Sequence, residues 1–449
     1  MKKVAICMFH PWYVSSWFDT NIINELASKT ELTILVTKEV LDVCIQRELQ
    51  KDNRFKFEEI SLNQPSFASR VYFFTSMIVR RKTNKSFNFR LKRLIFGELR
   101  LLPIPFTFRT SFICLKANFT NLKNYTRRYF YQLPLFIPFI DNFILKLSKF
   151  IFENKNYLIP VRLYDDFDLV IFVSAAEEIE IFEMLKELKD IGTKTLLCIE
   201  NWDNLTSKRF MISKPDYTFV LGNDSRELAA KYQNLDIKSV IAAGLPRFNP
   251  LRSHVPKFSQ IDSKKFQLLY IGFYLPHNEV QLLNKLIREL DKSNIYGFYE
   301  LTYKPHPGPR IRLLDDTLLN SNIRVISSEE RKNPKLDATH LSRILNSNLI
   351  IAAPTSMVIE CMVLGKKLVL DLTDDGVNRT TAKQAFNNYT HFDVLNSIET
   401  LNKCYSLDEI VSKILEEFEN PSINFIDYPI SELIENKKSS YSDHIVNLL

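Results

Sequence analysis

Apolar and polar positions along the chain alternate between two rhythms. Short continuous apolar runs read as strands buried on both faces, and stretches with a period near 3.6 read as helices. Val4 to Phe9 is the first such run, within KKVAICMF, and ELTILVT is the second, with a helical pattern at Asp19 to Ser28 between them. The rhythm resumes with strands at 168–174 (DLVIFVS), 193–200 (TKTLLCIE), 217–222 (YTFVLG) and 239–244 (SVIAAG). Helices are predicted over 175–192, closed by a glycine, and from Ser225. A polar stretch at 250–264 reads as a linker. Beyond it, strands at 266–273, 299–305, 322–327, 349–354 and 367–372 alternate with helices at 279–290, 338–346 and 357–365, and a helix follows at 406–418. Strand–helix alternation of this kind builds parallel sheets by crossover connections. The expectation is therefore an α/β protein of two Rossmann-like domains with a cleft between them. One spans 1–250 with an insertion at about 65–160, the other 265–430.

The insertion differs in composition. From Arg70 to Arg128 there are fourteen Lys or Arg and one acid, Glu98, so this stretch is +13 while the chain of 449 residues is +7. Phe, Tyr and Leu are interleaved with the cations, which predicts a helical surface for an anionic membrane at 70–128, where each cation contributes about 1 kcal/mol. Binding of single-stranded nucleic acid is the competing use of such a surface, and no nucleic-acid partner is expected.

Several classes are excluded. The six cysteines are scattered without a CxxC pair, which speaks against a disulfide frame or a zinc site. The charge-free stretch from Tyr129 to Ile140 carries two prolines and falls short of the roughly 20 residues a membrane span needs. No GxGxxG or GxxxxGK[ST] occurs among only nine glycines, which argues against a nicotinamide dehydrogenase or a P-loop kinase. Asp166-Phe167-Asp168 imitates a metal-binding DxD, but it precedes its strand and reads as a strand-entry turn. No metal site and no cofactor beyond the substrate is expected.

Two motifs carry chemistry. Tyr303-Lys304-Pro305-His306-Pro307 lies at the carboxyl end of a strand, where open α/β sheets bind ligands; Lys304 and His306, with Arg310 nearby, offer positive charge and a donor to a diphosphate. Pro354-Thr355-Ser356 turns a strand into a helix, where backbone N–H groups and two hydroxyls suit an anion, and Glu360 follows one turn later on the face of Ser356. The bland readings are a proline-fixed buried histidine and a simple N-cap with an exposed glutamate.

A KPHP strand end followed about fifty residues later by P-T-S-x3-E resembles the GT-B glycosyltransferases of bacterial surface carbohydrates. These include HP-motif sialyl- and Kdo-transferases, and the CDP-glycerol glycerophosphotransferases are related. Asn201-Trp202-Asp203-Asn204-Leu205-Thr206-Ser207-Lys208 and Gly244-Leu245-Pro246-Arg247-Phe248-Asn249 are similar to further segments of these enzymes, with Asn249 where Asp is frequent. The resemblance covers roughly 170–375. It implies that His306 contacts donor phosphate, that Thr355 and Ser356 assist, and that Glu360 holds a ribose.

Direct displacement needs a general base near the acceptor hydroxyl. Asp19 and His10, from the loop His10-Pro11-Trp12-Tyr13-Val14-Ser15-Ser16-Trp17-Phe18-Asp19, are candidates, and Asp203 is a third. Asp19 reads equally as the N-cap of the first helix, and His10 as the end of a strand. Retaining GT-B enzymes often place a second glutamate eight positions before the ribose-binding one. That position is Ala352 here, which favours inversion.

The expected function is a glycosyltransferase moving a sugar from a nucleotide-sugar donor to a glycan or lipid-linked acceptor, cytoplasmic and peripheral on the inner membrane face. The alternatives are a CDP-polyol phosphotransferase of the teichoic-acid type, a hydrolysing sugar-nucleotide 2-epimerase, and a non-catalytic membrane-associated assembly subunit.

Overall fold

The computed structural model describes residues 1–80, 83–96, 138–208, 210–248, 251, 264–306, 323–326, 338–421, 425–434 and 440–449. These form two compact units.

The first unit holds a seven-stranded parallel sheet in the order β3-β2-β1-β4-β5-β6-β7. Its strands are β1 (Lys3–Met8), β2 (Glu31–Val36), β3 (Phe55–Glu59), β4 (Leu169–Ser174), β5 (Thr195–Ile199), β6 (Tyr217–Val220) and β7 (Val240–Ala242). Every residue of β4 and β5 is buried, as continuous apolar runs require when helices cover both faces. The order reverses between β1 and β4, which pair in parallel with Met8 opposite Val173. Separate apolar clusters fill the two faces, one around Phe172 and Phe182, the other around Trp17 and Ile171.

The second unit holds a six-stranded parallel sheet in the order β10-β9-β8-β11-β12-β13. Its strands are β8 (Phe266–Ile271), β9 (Tyr299–Lys304), β10 (Ile323–Val325), β11 (Leu349–Ala352), β12 (Leu368–Asp371) and β13 (Asn402–Cys404). The order reverses between β8 and β11. In each sheet, ligands are expected outside the carboxyl ends of the strands flanking the reversal.

Local expectations are corrected in three places. The stretch after β1 is a helix, Trp12–Phe18, and not a loop. Asn21 then takes φ 65° and starts a second helix at Ile22, so Asp19 closes the first helix instead of capping the N-terminus of the next. The helix after β4 starts only at Ile179, because Ala176 sits at φ 57° and Glu178 is extended. The expected glycine stop holds: Gly192 takes φ +84° directly after it.

The sequence pattern places the chain end in neither domain. Residues Ser431–Leu449 belong to the first unit. Tyr441, on the last helix (Tyr441–Val446), packs edge-on against Trp17 and Phe219 at centroid distances of 5.7 and 5.4 Å. The Asp224 amide donates to the Glu432 carbonyl at 2.9 Å. A Cβ on Gly222 would stand 2.4 Å from the Leu433 carbonyl oxygen, so only glycine admits this approach.

The ends of the insertion are helical. Phe67–Arg80 and Pro138–Glu153 lie on the first unit, with Tyr72, Phe73 and Phe152 in its core. The middle, 97–137, lies outside the described residues. Two cations expected at a membrane turn inward instead. Arg80 stacks on Phe210 at 3.2 Å, and Arg90 pairs with Glu177 at 3.2 Å and donates to the Ser207 carbonyl at 2.8 Å. Burial pushes the Arg80 guanidinium down to about 10. Among the described residues no helix is long and apolar enough to cross a membrane.

Candidate functional site

In the second unit, the two sequence motifs come together at the carboxyl edge of the sheet. Lys304 ends β9, and its Nζ lies 3.1 Å from the Sδ of Met357, the first residue of the helix that follows β11. Its ammonium is mostly buried. Burial lowers the Lys304 pKa, and the Glu360 carboxylate opposes that shift. His306 stands edge-on to Tyr274, from the loop after β8, at 4.9 Å between centroids. Thr355 presents a buried Oγ1 with no hydrogen-bond partner. Ser356 occupies the N-cap without making a side-chain cap bond, and Glu360 is half-buried one turn on. The helix Met357–Val363 has seven residues, too few for a large macrodipole, so the local positive charge falls mainly to Lys304. Arg310 lies outside the described residues. Lys366 is structural: its Nζ donates to the Leu345 carbonyl at 2.9 Å.

Behind this edge lies a buried polar network that the sequence reading missed. Tyr303 and the Phe273 amide both donate to Glu279. Burial pushes the Glu279 carboxyl up to about 7. Gly272 makes room for it, since a Cβ there would meet Glu279 Oε2 at 2.6 Å. Tyr270 donates to Asp371 at 2.6 Å. His277 lies between Asp371 and Asp375, at 3.8 and 3.9 Å. Burial opposes protonation of His277, but Asp371 raises its pKa overall. The network joins the loops after β8 and β12 and so fixes the loop that carries Tyr274.

The first unit places His10 just beyond β1, beside the order reversal. Its Nε2 lies 3.4 Å from Glu178 Oε1. Glu178 also accepts from Ser174 Oγ at 2.7 Å, from the Glu177 amide at 2.9 Å and from Tyr13 at 3.3 Å. Burial would raise the Glu178 carboxyl, but the bonds from His10 and Ser174 bring it below the usual range. The hydrogen bond to Glu178 raises His10 in turn. With Nε2–H directed at Glu178, the Nδ1 lone pair is left to accept a proton. Trp12 stacks on the imidazole at 4.5 Å.

The other two candidate bases are engaged elsewhere. Asp19 is ion-paired with Arg47, which also reaches Ser15 Oγ at 3.4 Å. Asp203 precedes the π-helical turn Asn204–Lys208, accepts from Ser207 Oγ through its carbonyl at 2.8 Å, and lies 3.7 Å from Lys208 Nζ. Glu200 is a further carboxyl that the sequence reading did not single out. Burial raises its pKa, and it accepts from Trp17 Nε1 at 2.8 Å and Ser16 Oγ at 3.1 Å. The Asp168 carboxylate binds Lys2 Nζ at 2.7 Å and the Lys3 amide at 2.9 Å, pinning the start of β1 at the strand-entry turn.

Solved structures share this fold. A protein described as a candidate UDP-N-acetylglucosamine 2-epimerase from Listeria monocytogenes aligns at TM-score 0.50 and 12% identity, covering 99% of this chain and 95% of its own. The UDP-GlcNAc 2-epimerase from Methanocaldococcus jannaschii aligns at TM-score 0.50 and 12% identity, covering 99% of both chains. MurG from Acinetobacter baumannii aligns at TM-score 0.44 and 11% identity, covering 100% of this chain and 99% of its own. No family model and no curated relative matches the chain. The two likenesses at TM-score 0.50 agree with the architecture of two Rossmann-like units and, at 12% identity, show the fold alone.

Proposed function

We propose that this chain is a glycosyltransferase that takes a nucleotide-sugar donor in its second unit and passes the sugar to a hydroxyl of a glycan or lipid-linked acceptor. The observation that carries this reading is the contact of Lys304 with Met357, which joins the KPHP strand end to the Thr355–Glu360 turn. A buried ammonium, a neighbouring imidazole, an unpartnered hydroxyl and a carboxylate one turn away suit a diphosphate joined to a ribose. The neighbours named as epimerases of UDP-GlcNAc act on a donor of this class, which is consistent with the reading.

In this mechanism the acceptor oxygen attacks the anomeric carbon as the bond to the leaving phosphate breaks. His10 takes the acceptor proton at Nδ1 while Glu178 holds the ring and offsets the imidazolium charge. The charge that develops on the leaving phosphate is met by Lys304 and His306, with no metal or further cofactor. A single displacement inverts the anomeric centre. The enzyme works at the cytoplasmic face of a membrane. The helix Pro138–Glu153 supports that location, because Phe143, Leu147, Phe150 and Ile151 form an exposed apolar stripe beside exposed Lys146 and Lys149.

A thermal-shift series with UDP, GDP, CMP and CDP tests the donor site. Stabilisation by one nucleotide that is lost in Glu360→Ala supports the reading, and no shift with any of the four would refute it. Phosphate retained in the product would instead indicate polyol-phosphate transfer.

A further inference from the structure

We infer that Trp12 is a carbohydrate-stacking platform, and that the acceptor group it takes is a neutral pyranose ring. The inference rests on the transferase reading and deepens it by naming the acceptor class.

The chain has three tryptophans. Trp17 is 0% exposed and Trp202 is 4% exposed, whereas Trp12 is 66% exposed. A solitary exposed aromatic would mean little. This one is held in place: it lies near-parallel to His10, at 19° and 4.5 Å, and Tyr13 meets it at 5.9 Å and 82°. So the indole is fixed against the imidazole of the His10–Glu178 pair, beside the sheet reversal where ligands are expected.

The chemistry of the spot selects the ligand. The indole face carries negative quadrupole charge and attracts the weakly positive C–H bonds of a flat ring. A pyranose offers such a C–H face, with hydroxyls around its rim. An open-chain polyol has no such face. Charge argues against an anionic ring, since Glu178, Glu39 and Glu180 all act on His10 with negative potential. Arg47, which caps the helix Lys38–Gln46 and reaches the end of the Trp12–Phe18 helix, is already paired with Asp19.

The test uses the full chain and its own fluorescence. Because Trp17 and Trp202 are buried, iodide should quench Trp12 selectively, and Trp12→Phe should remove the quenchable component. The probes are lactose, N,N′-diacetylchitobiose and methyl β-glucopyranoside, set against ribitol, glycerol 3-phosphate and glucuronate. Protection of Trp12 from iodide by a neutral pyranoside, with little or none from the other three, supports the platform. Equal or stronger protection by ribitol, glycerol 3-phosphate or glucuronate overturns it, as does protection by none of the six. Nucleotide thermal shifts of the parent chain, run beside the iodide assay, separate this from the donor reading. A nucleotide shift without sugar protection sinks the platform alone, and sugar protection without any nucleotide shift sinks the transferase reading alone.

Discussion

His10 and Glu178 face each other across 3.4 Å although 168 positions separate them in the chain. The parallel pairing of β1 with β4 brings them together, since each follows the carboxyl end of its strand.

This pair sets a pH dependence. In the proposed mechanism His10 acts as a base only when neutral, and its pKa is raised by the Glu178 hydrogen bond. The transfer rate should therefore climb as pH rises through that raised value. Glu178→Gln should move the acid limb of the profile to lower pH and reduce the maximum, because the ring tautomer is no longer held. His10→Ala should cost about 10²–10⁴ in kcat. For stability the sign is opposite: a raised imidazole contributes below its unfolded pKa, and the contribution fades as pH climbs through the folded value. An unmoved acid limb in Glu178→Gln would remove Glu178 from the mechanism.

Lys304→Met tests the donor edge without adding a cavity. The nucleotide-induced stabilisation, about 2.7 kcal/mol at a hundredfold excess over Kd, should shrink or vanish while the melting temperature without nucleotide changes little. A full nucleotide shift in Lys304→Met would show that Lys304 does not touch the ligand.

Glu279 should make the second unit less stable as pH rises. Its carboxyl is raised from 4.5 to about 7, so the folded state holds the proton between those values and the unfolded state does not. Its stabilising share is present at low pH, declines from about 4.5 to about 7 and then levels off, by at most about 3 kcal/mol. Glu279→Gln should flatten that decline in denaturant titrations run across the interval. A decline that persists unchanged would assign it to other groups.

Gly222→Ala should loosen the returning chain end. The added methyl meets backbone oxygen and cannot be absorbed by a rotamer change, so a loss of about 1–3 kcal/mol is expected. Limited proteolysis should then cut near residue 431 earlier than in the parent. Unaltered melting and cleavage would mean that the tail shifts at no cost.

The apolar rhythm alone determined most of the strands. KKVAICMF, DLVIFVS and KLVLDL read as buried strands because a two-sided parallel sheet demands unbroken apolar runs, and that demand is local. The strand end at Lys304 and the turn at Thr355 were legible for the same reason. The edge strand β3 is not legible in the apolar rhythm because three of the five residues of FKFEE are charged.

What a side chain does was decided by tertiary structure. Asp19 reads as a cap or a base in sequence, and the fold gives it to Arg47. Glu178 and Glu279 look like ordinary helix-start acids, yet one orients a histidine and the other lies buried under Tyr303. The physical reason is that helix and strand periods act between near neighbours, whereas strand order and chain return choose which distant groups share a low-dielectric space. There an opposite charge or a desolvated carboxyl resets the chemistry.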